Sequence, residues 1–176
     1  MKKLILAAAT LAIGSFSQAA LAADTGSMGV AVTVAASCDL TVNEGMTFGG
    51  IATRTTGALH TASTTITVAC TADAAYEVGF DYGLSATGSP AHQRRLHNAT
   101  ADIENPYLTY GLYHNTGTDE PWGNERVGEE TPNVLIGVGT TTIADDTFTV
   151  YGKIDAGQDV SLGVYADTVT ATVWYN

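Results

Sequence analysis

Val169, Ala171, Val173 and Tyr175 occupy alternate positions near the end of the chain, and Thr168, Thr170, Thr172 and Trp174 fill the positions between them. A period of two predicts a strand over Asp167–Tyr175 with one buried face. The same alternation recurs upstream. Val30, Val32 and Val34 share a face within Met28–Ala36, and Cys38–Val42 follows almost without punctuation. Ile66, Val68 and Cys70 align within Ser63–Thr71, and Tyr76, Val78 and Phe80 within Ala75–Tyr82. Further strands are predicted over Tyr107–Asn115 and Thr147–Asp155, and turn-rich stretches such as "GLSATGSPAHQ", "HNTGTDEPWGNE" and "DAGQD" separate them. Many short strands with no helical period between them indicate one antiparallel sandwich or barrel.

The two ends of the chain do not fit a closed sheet. Only Ala35, Ala36 and Ser37 join the valine-bearing segment to Cys38, and none of them invites a hairpin. That segment therefore extends along its own domain or projects from it. The closing strand has no successor to cover its edge, a hazard that proteins usually manage. In one account the N-terminal strand covers the C-terminal strand of its own molecule. In the other it covers the same edge of another molecule, so that subunits chain head to tail.

Composition places the chain outside the cytoplasm. Lys2 and Lys3 precede the apolar run Leu4–Gly14, and Ala20 and Ala22 stand at the −3 and −1 positions of a cleavage site before Ala23. This is the pattern of a secretory signal peptide over residues 1–22, too short for a transmembrane helix. Cleavage leaves 154 of the 176 residues and moves the formal net charge from −11 to −13. So acidic a chain repels phosphate backbones and anionic bilayers, which argues against nucleic-acid binding and direct membrane insertion. Two cysteines, Cys38 and Cys70, remain in the exported chain and favour one disulfide. Free thiols and an intermolecular bridge are the alternatives.

No constellation for catalysis, cofactor or metal binding emerges. His60, His92, His97 and His114 lie in or beside turns at spacings that suit no shared face. Asp119, Glu120, Glu125, Glu129 and Glu130 form an acidic stretch without the Asp-x-Asp-x-Asp-Gly spacing of a calcium loop. Serines offer no nucleophile turn, and Arg94–Arg95 is too small a basic pair for a polyanion. Asn98–Thr100 matches the glycosylation triplet, a short motif that often arises by chance. A non-enzymatic protein is the expectation. A carbohydrate-binding sandwich is a further alternative, although Trp122, Trp174, Tyr107, Tyr110 and Tyr113 form no evident planar platform in sequence.

In order along the chain, "GVAVTVAASC", "MTFGGI", "TITVAC", "YEVGFDYG", "RRLHN", "LTYGLYHN", "FTVYGKI" and "GVYADTVTATVWY" resemble the spore coat protein U domain family, which includes the major subunits of archaic chaperone–usher pili. The resemblance implies an all-β fold, an incomplete immunoglobulin-like antiparallel sandwich lacking its final strand. It divides the chain into a signal peptide (1–22), a donor-strand segment (23–36) and a sandwich domain (37–176). It further implies export to the periplasm and polymerisation by donor-strand exchange into cell-surface fibres for adhesion and biofilm formation. The partners would be like subunits, a periplasmic chaperone and an outer-membrane usher. Val30, Val32 and Val34 would be the inserted side chains. Val169, Ala171, Val173 and Tyr175 would line one wall of the acceptor groove, and the strand after Cys38 the other. A secreted, self-complemented coat or matrix protein of the same domain is the alternative. Within an immunoglobulin-like fold, Tyr165 is placed to act as a corner tyrosine whose hydroxyl bonds backbone.

Overall fold

The computed structural model describes residues 24–51, 59–86, 93–100, 104–117, 120–129, 133–139 and 145–176. The signal sequence, His92, Asp119 and Glu130 lie outside the described residues. Two units are distinguished, Met1–Thr33 and Val34–Asn176. In the first, residues 24–33 form neither helix nor strand. The strand expected over Met28–Ala36 is absent there because alternation makes a strand only where a neighbour supplies the ladder.

The second unit is entirely β among its described residues. Its strands are β1 (Cys38–Val42), β2 (His60–Cys70), β3 (Ala75–Phe80), β4 (Arg94–His97), β5 (Tyr107–Tyr113), β6 (Leu135–Val138), β7 (Asp146–Ile154) and β8 (Ala171–Tyr175). Two sheets result, one in the order β1-β2-β7-β5-β4 and the other β6-β3-β8, with every pair antiparallel. Two antiparallel sheets packed face to face make the expected immunoglobulin-like sandwich.

Alternation translates directly into the core. Ile66 and Val68 of β2, Leu108, Tyr110 and Leu112 of β5, and Val150 and Ile154 of β7 meet Tyr76, Val78 and Phe80 of β3. Trp122, from a loop, fills the centre; its indole N–H donates to the Val78 carbonyl (3.1 Å), and its ring meets Phe80 edge-on at 5.0 Å. Met46 and Phe48 tuck in after β1 and pack over Gly152 of β7, where any larger side chain would collide with them.

Cys38 and Cys70 are bonded and stand opposite each other in the β1–β2 register. The bridge ties the first residue of an edge strand to its one neighbour. With a sequence separation of 32 between the bonded positions, the double variant Cys38→Ser/Cys70→Ser is expected to lose about 3.5–4 kcal/mol of folding stability. Denaturant unfolding of the oxidised and double-serine proteins measures the difference.

Tyr165 behaves as the corner tyrosine that the fold invites. Its hydroxyl donates to the carbonyl of Ser161, four residues upstream, at 2.6 Å. Asn98, the head of the glycosylation triplet, is only 2% exposed. Its Oδ1 accepts the Thr100 N–H at 3.0 Å, so it serves the turn and is shielded from glycan transfer in the folded chain.

Candidate functional site: an open sandwich edge

β1 closes one margin of the five-stranded sheet and β8 one margin of the three-stranded sheet, and the two lie against each other on the same side of the sandwich. Among the described residues, each is paired on one side only: β1 with β2, and β8 with β3.

The ladder phase shows which backbone groups are left over. At one end of β1 the Thr71 N–H donates to the Ser37 carbonyl (2.8 Å), and beyond its other end the Asn43 N–H donates to Thr65 (3.0 Å). Because an antiparallel ladder uses alternate residues, Ser37, Asp39, Thr41 and Asn43 face β2. Cys38, Leu40 and Val42 then direct N–H and C=O to the unpaired side. The same reasoning applies to β8. The Asp81 N–H donates to the Thr170 carbonyl (3.0 Å) and the Asn176 N–H to Ala75 (3.3 Å), so Ala171, Val173 and Tyr175 present their backbone groups outward.

Side chains on these residues follow suit. Cys38, Leu40, Val169, Ala171 and Val173 are half-buried and pack against the core, and Tyr175 at the rim is 46% exposed. The opening thus combines apolar side chains with unmet hydrogen-bonding groups, the chemistry of a missing strand.

One end of the opening is built rigidly. The β8 ladder begins at Ala171 rather than Asp167, because the Asp81 carboxylate replaces a backbone carbonyl and accepts the Thr170 N–H (2.9 Å) and the Gly83 N–H (3.0 Å). Asp167 accepts the Tyr110 hydroxyl (2.8 Å) and the Leu84 N–H (3.0 Å). Arg94 is wholly buried beside both carboxylates. Its Nε donates to the Asp81 carbonyl (2.7 Å) and its NH2 group to Phe80 (2.8 Å). Burial lowers the guanidinium pKa to about 10, against the pull of the Asp81 and Asp167 charges, so it stays charged at neutral pH. Burial and the bond to Asp167 push the Tyr110 hydroxyl well above the usual phenolic range. Arg94, read from sequence as half of a basic pair too small for a polyanion, is a core residue.

Val30, Val32 and Val34 are 84%, 88% and 75% exposed. The remaining candidates have local tasks. Arg95 lies over the Tyr107 ring at 4.0 Å, and His97 stacks on the same ring. His114 stacks on Trp122, and burial lowers its pKa. Glu125 is occupied with Asn133. Among the described residues no group of three or more His, Cys, Asp or Glu side chains could hold a metal ion. Trp122, Tyr110 and Tyr113 are buried, and Arg126 lies over Trp174 at 5.3 Å, which leaves these rings no shared exposed platform.

A family model, the Spore Coat Protein U domain, matches residues 24–172. The chain belongs to the spore coat protein U domain family. No curated protein matches this member of the family. Among solved structures it is similar to a chain of the chaperone–tip adhesion subunit pre-assembly complex CsuC–CsuE, from archaic chaperone–usher Csu pili of Acinetobacter baumannii. Identity is 21% and the TM-score 0.54, over 80% of this chain and 40% of the other. The likeness establishes a shared fold, and this spore coat protein U domain chain spans less than half the length of the other.

Proposed function

We propose that this protein is a structural pilus subunit, exported through a signal peptide over residues 1–22 and polymerised by donor-strand exchange. Val30, Val32 and Val34, from the donor segment 23–36 of one subunit, enter the groove between β1 and β8 of the next. A periplasmic chaperone fills the groove beforehand, an outer-membrane usher directs the exchange, and the resulting surface fibres serve adhesion and biofilm formation. The single observation that carries this reading is the match between the opening and the segment. β1 and β8 present unmet backbone groups and half-buried apolar side chains, and the same chain bears an exposed strand-patterned segment.

Chaperone–pilin strand donation is an established form of β-augmentation, in which backbone bonds give affinity and alternate side chains give register. Burying three valines contributes roughly 5–9 kcal/mol to insertion of the segment before ordering costs. The fold shared with a subunit of a chaperone–usher pilus supports the same reading. A self-complemented coat protein would need a second partner for β8, and β3 is the one strand beside it among the described residues.

A synthetic peptide of residues 23–36 tests the exchange directly. It is expected to displace the chaperone from the purified chaperone–subunit complex, whereas the same peptide with Val32→Asp is not. Chromatography of the released subunit separates the outcomes, and equal displacement by both peptides would refute the assigned register.

A further inference from the structure

Thr71 follows Cys70 at the end of β2 and bonds to the residues through which the valine segment joins the body. Its N–H donates to the Ser37 carbonyl (2.8 Å), and its Oγ1 accepts the Ser37 N–H (3.1 Å). The hydroxyl proton is shared between the carbonyls of Ser37 (3.3 Å) and Ala35 (3.4 Å). The next residue, Cys38, is bonded to Cys70. One dipeptide, Cys70–Thr71, therefore holds the backbone from Ala35 to Cys38.

We infer that Thr71 is a positioning residue that fixes the direction in which the donor segment leaves the subunit, and so sets the stiffness of the joint between neighbouring subunits. This inference rests on the donor-strand reading. If Val34 is the last inserted residue and Ala35 the first one held, the joint has almost no slack. Its freedom is that of the Val34 backbone, two soft dihedrals, against about six once Ala35 and Ala36 are released. The hydroxyl is what Thr71 adds to an ordinary strand end. Valine has nearly the same shape, keeps the backbone bond to Ser37, and removes the contact to Ala35 and the acceptor for the Ser37 N–H.

Fibres of Thr71→Val are expected to form in normal number but to bend more easily, with persistence length in electron micrographs reduced about two- to threefold. Thr71→Ser keeps the hydroxyl and is expected to restore wild-type stiffness, a rescue that a purely packing role would not produce. Hydrogen exchange at the Ser37 amide reports the same hold without fibres: slow in the wild-type subunit and in Thr71→Ser, faster in Thr71→Val. Wild-type stiffness in Thr71→Val fibres overturns the inference, as does unchanged Ser37 exchange should that variant assemble poorly. A wild-type chain that made no fibres with its chaperone and usher would defeat the functional reading instead, and the amide measurement would still decide the role of Thr71.

Discussion

Fibres are expected to disappear when Val32 is replaced by aspartate. In the proposed exchange this valine is the central one of three inserted side chains, so the variant loses its apolar contribution and buries an unpaired carboxylate. Together these cost about 5 kcal/mol or more, a loss of at least about three orders of magnitude in the donor–groove equilibrium. Deleting residues 23–35 from the exported chain should have the same effect on assembly, while the remaining domain still binds the chaperone. Thr33→Asp is the informative control. Alternation turns Thr33 away from the groove, so its charge would remain in water and fibres should form. Gel analysis without boiling, together with microscopy of sheared material, reads all three. Wild-type oligomers from Val32→Asp would sink the register, and equal damage from Thr33→Asp would sink the face assignment.

That contrast rests on alternation, a pattern that sequence records best where a strand has one face on the core. Alternation over Ala75–Tyr82, Tyr107–Asn115 and Thr147–Asp155 corresponds to β3, β5 and β7, each within two residues. These strands have one face on the core, so each carries a local record of its burial. β4 and β6 span four residues each, too few to register a period. β6 also inverts the expected pattern. Ile136 and Val138 point outward, and Gly137 faces inward beneath the Tyr76 ring, where no side chain would fit.

The opening between β1 and β8 was legible only in halves. The alternation over Asp167–Tyr175 and the strand-patterned valine segment follow from local pattern. That β1 and β8 face each other depends on strand order, which alternation does not encode. Trp122 and Arg94 were obscured for a related reason. Trp122 stands in a polar, turn-rich stretch, and contacts distant in sequence, with Val78, Phe80 and Leu112, place it at the centre of the core. Arg94 is charged and next to Arg95, the usual signature of surface. Its burial is made tolerable by carbonyls at the end of β3, some 14 residues away in sequence.

Those carbonyls make Arg94→Met the second large effect, an expected loss of about 3–5 kcal/mol of folding stability. Arg94 belongs to β4, the far margin of the five-stranded sheet, yet its guanidinium bonds Phe80 and Asp81 where β3 leaves the other sheet. The disulfide lies near the opposite end, where β2 finishes and β3 begins. Methionine would fill much of the volume, so the loss would come from two carbonyls deprived of their donor and from Asp81 and Asp167 deprived of a nearby cation. Asp81 is also the group that holds Thr170 and starts the β8 ladder. Loosening it should therefore fray the groove wall before the sandwich melts as a whole, with amide exchange at Thr170 rising more than at Val150. Lysine at this position keeps the charge but cannot reach both carbonyls as a planar fork, so Arg94→Lys should fall between methionine and wild type. Denaturant titration at constant m-value gives the stability order, and a methionine variant within about 1 kcal/mol of wild type would mean that the two sheets hold together without this bolt.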